Sequence, residues 1–292
     1  MEPDFLRARK DLSLQWEQLF SRPKKFQFRV RLFDIGFCFH TDNVSLFNDL
    51  KQFFPEDWMS PEGELIDIYW SAPCLAPWDH IPDPNCFFWS NFISQRDFLT
   101  YKRNEKCYEL MAFEKLDDGL FNFLRFLLPQ HLLNHGRILF HSSCVIHQGK
   151  AYLYFGPSGA GKSTIASLCQ GGQVMGDDMN ILTFFENEVR VEGAPLGQRI
   201  FDRSLMGRSF PIEKAFWLVQ DHENRHQPIQ TGAIKFYLSS FANLFWDQLD
   251  SQQYGQVFKF VEQLKNQVPL FQLNFKKNTE VWNYVKAIGS NI

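Results

Sequence analysis

The sequence predicts an α/β domain with a mixed sheet, built around a phosphate-binding loop (P-loop) and preceded by a smaller α+β domain. Three observations predict it. Residues 150–169, KAYLYFGPSGAGKSTIASLC, read as strand, glycine-rich loop and helix. From 119 onward, runs with helical apolar spacing alternate with short strand-like runs. The first 110 residues contain strand-like runs but no cluster of catalytic residue types, which separates 1–110 from 111–292.

The elements follow in order. FQFRVRLFDIGFCFH (26–40) alternates and predicts one or two strands. TDNVSLFNDLKQFF predicts a helix capped by Asp42 or Asn43. LIDIYWSAP predicts a strand stopped by Pro73, and 72–88 is rich enough in Pro, Asp and Asn to predict a loop. CFFWSNFI, FLTYKR and CYELMAF predict further strands. GLFNFLRFLLPQHLLNHG (119–136) has helical spacing, with Pro129 expected to kink or divide it and Gly136 to stop it. RILFHSSCVIHQGKAYLYF predicts two strands about a QGK turn, the second leading into the loop. ILTFFENEVRVEG predicts strand, turn and strand around Glu186-Asn187, and PIEKAFWLVQ another strand. TGAIKFYLSSFANLFWDQL and YGQVFKFVEQLKNQ predict two amphipathic helices, VPLFQLNFK a late strand and TEVWNYVKAI a closing helix.

Composition excludes several classes. The 292 residues are 45% hydrophobic, enough for a sizeable core. A net charge of −3 with no Lys/Arg-rich run argues against nucleic acid as main partner, since backbone phosphates need a basic face. No 18-residue apolar run predicts a membrane span, and MEPDFLRARKDLSLQW lacks the apolar stretch of a signal peptide. The six cysteines form no C-x-x-C pair and match neither a zinc ribbon nor a disulfide framework. Cys144 and Cys169 read as buried free thiols. A cytoplasmic location is the expectation. The 32 Phe and eight Trp read chiefly as core, with an aromatic groove for a peptide or apolar partner as the alternative.

The chemistry concentrates in 154–180. Gly156-Pro157-Ser158-Gly159-Ala160-Gly161-Lys162-Ser163 fits G-x-x-x-x-G-K-[ST] and is followed by Thr164. The glycines let amides curl around phosphate oxygens, Lys162 can reach the β- and γ-phosphates, and Ser163 can bind Mg²⁺. The helix start offers its positive end to the same anion. Asp177 and Asp178 follow an apolar dipeptide, Val174-Met175. A short strand there, lying beside the phosphate-loop strand, would deliver both acids to the γ-phosphate side. One carboxylate could then hold the metal and the other accept a proton. Arg199, Arg203 and Arg208 come close behind as cations for developing phosphoryl charge.

FHSS with His141, then a strand, GxSGxGKS, a short helix and the Asp pair together resemble the catalytic domain of HPr kinase/phosphorylase. ATP-dependent phosphoenolpyruvate carboxykinase is similar in the same order. The resemblance covers 130–235, and the tail is similar to HPr-kinase-like proteins of peptide-modification gene clusters. The N-terminal third does not share it, and neither N-K-x-D nor L-S-G-G-Q occurs. The resemblance implies ATP and Mg²⁺ as cofactors. It implies that Lys162 and the loop amides bind the triphosphate and that Ser163 with an aspartate holds Mg²⁺. Asp177 would be the base, Asp178 the metal-side acid, and His141 would sit near the phosphates. Arg199 or Arg203 would contact nucleotide or acceptor. No loop marking HPr recognition is recognisable, so the acceptor stays a hydroxyl of a peptide, protein or small molecule. The carboxykinase activity is set aside, because no second lysine-and-arginine constellation is found and the chain is much shorter.

The sequence therefore predicts a kinase, with acceptor or partner recognition in 1–110. A nucleotide-binding sensor, a scaffold or an ATPase are the alternatives, and a homo-oligomer stays open.

Overall fold

The computed structural model describes residues 16–72 and 87–288, apart from 22, 60, 90, 91, 96, 195, 197, 198 and 245. The N-terminal stretch 1–15, the expected stop at Pro73 and most of the expected loop 72–88 lie outside the described residues. The chain divides into two units, Met1–Leu124 and Arg125–Ile292. Each holds one mixed sheet, so the molecule is mixed α/β. Among the described residues no helix is long and apolar enough to cross a membrane.

In the first unit, β1 (Phe26–Leu32) and β2 (Ile35–Thr41) form a hairpin. Its turn residues Phe33 and Asp34 both have positive φ, as a two-residue turn between right-twisted strands requires. Asn43 caps α1 (Val44–Phe53) by accepting from the Leu46 amide, and α1 buries Leu46 and Leu50. β3 (Leu65–Ser71) runs parallel to β2, and β7 (Cys107–Met111) parallel to β3. β6 (Phe98–Asn104), β5 (Phe92–Gln95) and β4 (Phe87–Trp89) complete the order β1-β2-β3-β7-β6-β5-β4. The run CFFWSNFI, expected as one strand, folds back as the antiparallel pair β4–β5. Ile66, Ile68 and Trp70 point into the core, and Asp67 and Tyr69 lie on the opposite face.

α2 (Asp118–Asn134) carries the chain from one unit into the other. Pro129 does not divide it: the helix continues through the proline to Asn134. Gly136, at φ 65°, then ends the turn in the left-handed region.

The second unit is organised by two long strands, β8 (Arg137–His147) and β13 (Ser209–Gln220). β8 gives its first half to β11 (Met179–Phe185) and its second to β9 (Lys150–Phe155). β13 gives its start to β12 (Glu188–Glu192) and its remainder to β9 and β15 (Leu270–Phe275). Following the ladders from β8 through β11, β12, β13 and β9 returns to β8, so these strands close on themselves. Phe140, Phe155, Tyr237 and Phe241 fill one core with the helix α5 (Ser251–Gln267). On the other side, β9, β13 and β15 pack Tyr154, Phe216 and Phe275 against α3 (Lys162–Leu168) and α6 (Glu280–Ala287).

Two expectations change here. The segment 231–249 is not one helix: α4 (Ala233–Leu238) has six residues. Beyond it the chain is drawn onto the free edge of β8, where the His141 amide donates to the Ser240 carbonyl and the Ala242 amide to the Leu139 carbonyl. Those main-chain bonds replace further helical ones. The strand before the aspartates, β10 (Gln173–Gly176), pairs with β8 and not with the phosphate-loop strand β9. β8 lies between them. An additional edge strand, β14 (Arg225–Pro228), pairs with β15.

Candidate functional site

β9 ends at Phe155 and releases the chain into the glycine loop. Gly156, Gly159 and Gly161 have φ of 152°, 78° and 100°. Side chains there would be strained, and at Gly161 a Cβ would also stand 2.8 Å from Phe275 Cζ. Gln220, at the end of β13, donates to the Gly159 carbonyl at 2.6 Å. The Ala160 amide donates to the Pro157 carbonyl within the turn. Ser158 is exposed, and Thr164 lies in the first turn of α3.

Lys162 is 8% exposed. Its Nζ donates to the carbonyl oxygens of Gly156 at 3.1 Å and Pro157 at 3.3 Å. Burial lowers its pKa, and the charge of Asp178 acts against that shift. The start of α3 is tied down by Ser143, which donates to the Lys162 carbonyl at 2.8 Å. Ser163 Oγ donates to the main-chain oxygen of Asp177 at 3.3 Å.

The acids sit where an antiparallel strand bends. Gly176 faces Cys144 and Met179 faces His141, so the register on β8 is unchanged across Asp177 and Asp178. The Ser142 amide donates to the Asp178 carbonyl at 3.0 Å. The two side chains then part. Asp177 is 3% exposed, and its Oδ1 accepts from the amides of Arg199 at 3.0 Å and Ile200 at 3.2 Å. Asp178 is half-buried, with His141 Nε2 3.1 Å from Oδ1 and Arg125 Nη2 3.1 Å from Oδ2. The hydrogen bond from His141, followed by the charge of Arg125, holds its carboxyl below the usual range despite burial.

The structure thus brings together Lys162, Ser163, Asp177, Asp178 and His141. The preference for Asp177 as base meets a different geometry, since its Oδ1 is committed to two amides. Arg199 enters through its main-chain amide. Arg203 is exposed and opens the single-turn 3₁₀ segment Arg203–Leu205, capped by Asp202. Arg208 stands over the Phe210 ring. Sequence reasoning missed Arg125. It projects from α2, is itself held by the Leu196 carbonyl at 2.9 Å, and lies far from the motif in sequence. The available signal was a single arginine within the apolar run GLFNFLRFLLPQHLL.

No family model matches the chain, and no curated protein does. Among solved structures it is similar to the Hpr(Ser) kinase/phosphatase from Coxiella burnetii, at 12% identity and a TM-score of 0.30. That likeness covers 51% of this chain and 93% of the other. A likeness so slight carries no argument about fold or activity.

Proposed function

We propose that the chain is an ATP- and Mg²⁺-dependent kinase that moves the γ-phosphoryl group to a hydroxyl, of a serine in a peptide or protein or of a small molecule. One observation carries this reading. Lys162, at the end of a loop with three positive-φ glycines, converges with Asp178, a carboxylate kept ionised by His141 and Arg125.

The donor set suits both groups. Loop amides and an ammonium suit phosphate oxygens. A serine hydroxyl and an ionised carboxylate are hard oxygen donors of the kind Mg²⁺ takes, so Ser163 and Asp178 would hold it. When bound, Mg²⁺ would neutralise phosphate charge. Lys162 would exchange its two loop carbonyls for β- and γ-phosphate oxygens. Arg125 adds a second cation beside Asp178. In the tautomer whose Nε2 donates to Asp178, the other nitrogen of His141 carries a lone pair. We assign it the acceptor's proton, and we assign Asp177 to holding the 199–200 backbone. The acceptor oxygen bonds to the γ-phosphorus and the bond to the β,γ-bridging oxygen breaks. ADP leaves with that electron pair, and the hydroxyl proton passes to His141. Arg199 and Arg203 are the exposed cations nearest in sequence behind this site.

The test is mass spectrometry of a metabolite extract and of serine-containing peptides after incubation with Mg²⁺ and ATP. A phosphorylated product is expected with the wild type and absent with Lys162→Ala, which loses nucleotide binding. Asp178→Asn is expected to keep nucleotide binding and lose transfer. ATP consumption without any phosphorylated product would make the protein an ATPase, and binding without consumption a sensor. Either outcome overturns the kinase reading.

A further inference from the structure

A second convergence of ligand-type side chains lies within the unit Met1–Leu124, on the polar face of its sheet. β2 and β3 run parallel, with Cys38 beside Asp67 and His40 beside Tyr69. Neighbours across a ladder share a face, as do residues two apart on one strand. Cys38, His40 and Asp67 therefore point to one side. One donor atom from each lies within 4.8 Å of the other two. Among the described residues no other three His, Cys, Asp or Glu come so close. His40 Nε2 is 2.7 Å from Asp67 Oδ1, and its ring lies flat on Tyr69, with centroids 4.4 Å apart. Two contacts thus fix the imidazole. Cys38 is 2% exposed and His40 8%, whereas the Asp67 side chain is 43% exposed and opens one side of the cluster.

Three chemistries compete for this cluster. A nucleophilic thiol fails, because Cys38 is buried and a substrate cannot reach its sulfur. A plain ion pair accounts for His40 and Asp67 and leaves the thiol only a hydrogen bond with Arg29, its neighbour on β1. A metal uses all three: thiolate sulfur, imidazole nitrogen and carboxylate oxygen are the donors zinc takes. One thiolate and one carboxylate also cancel the charge of a dication, with the exposed Arg29 giving up its bond to the sulfur and turning to solvent. Metal–ligand bonds of about 2.0–2.3 Å put tetrahedral donors about 3.5 Å apart, within reach of side-chain rotation from the present spacing. The same set does not suit Mg²⁺, which takes oxygen.

We propose that Cys38, His40 and Asp67 bind one divalent transition ion of the zinc type, pinning β2 to β3, with the remaining position open to a water. Cys107 stands next to Asp67 on β7, one strand further along the same row. The sequence conceals the set: C-F-H is followed by Asp67 only 27 residues after His40, which matches no metal-binding spacing.

The experiment is a Co²⁺ titration of the full-length, EDTA-treated protein without nucleotide. About one equivalent is expected to give tetrahedral d–d bands and a thiolate-to-cobalt charge-transfer absorption, both abolished by Zn²⁺. Cys38→Ser is expected to lose the charge-transfer absorption. Asp67→Asn, at a half-exposed position, is expected to keep the native circular dichroism and weaken cobalt binding by at least about tenfold. Lys162→Ala is expected to bind cobalt like the wild type. Absence of the thiolate absorption in the wild type, or unchanged cobalt affinity in Asp67→Asn, overturns the proposal. If Cys38→Ser fails to fold, those two measurements still decide it.

Discussion

Adjacent residues of one type can have unrelated work, and Asp177 and Asp178 show it. Asp177 turns into the segment behind it and collects two amides. Asp178 turns toward a histidine and an arginine. Asp177→Ala would remove the acceptor of two partly buried main-chain bonds and is expected to cost about 1.5–3 kcal/mol in urea unfolding, the range for hydrogen bonds to a charged group. Asp177→Asn keeps an Oδ1 acceptor and is expected to recover most of that. Equal losses for the two substitutions would show that charge, and not hydrogen bonding, is what matters there. The pair itself was legible in the sequence; the division of labour was not. It depends on how the bend between β10 and β11 sits on β8, where the register slips between Val174 and Gly176. No local pattern encodes that slip. Arg125 was hidden for a related reason: its partner Asp178 is contributed by a different element, and only the fold joins them.

At the scale of elements, the sequence speaks clearly wherever local chemistry decides. Glu186-Asn187 and Gln148-Gly149 both form two-residue turns with positive φ, between strands whose apolar runs are unmistakable. It misleads where a distant edge decides, as when β8 takes Ser240 and Ala242 from a helical pattern. β14, RHQP, is exposed throughout and carries no strand signal of its own. Asp221 holds the turn that leads to it. It accepts from Asn274 Nδ2 at 2.9 Å, the His222 amide at 2.7 Å and Arg225 Nη2 at 2.6 Å. Those bonds, that of Asn274 foremost, hold its carboxyl at about 2. An unfolded aspartate titrates at about 3.9, so the folded value is depressed. The resulting stability is present above the unfolded pKa and lost as pH falls through the folded one. The difference in urea midpoint between wild type and Asp221→Asn is expected to hold steady above about pH 5, fall through pH 4 to 2, and be lost only below about pH 2. A difference that ignores pH would mean the carboxylate charge contributes nothing.

For the whole molecule, the two proposed sites fall in different units. Lys162, His141, Asp178 and Arg125 belong to Arg125–Ile292, and Cys38, His40 and Asp67 to Met1–Leu124. Each unit has its own sheet. A ligand that binds only the folded state stabilises whatever must stay folded to bind it, by about 2.7 kcal/mol at a hundredfold excess over Kd. Amide hydrogen exchange can read the two contributions separately. Mg²⁺ with ATP is expected to slow exchange in 150–168 and 173–185 and leave 35–41 and 65–71 unchanged. Zn²⁺ without nucleotide is expected to do the reverse. Within α2, the half after Arg125 should follow the nucleotide, because Arg125 is anchored to Asp178. Protection of both strand sets by either ligand alone would show that the units unfold as one, and the two sites would then be linked through global stability.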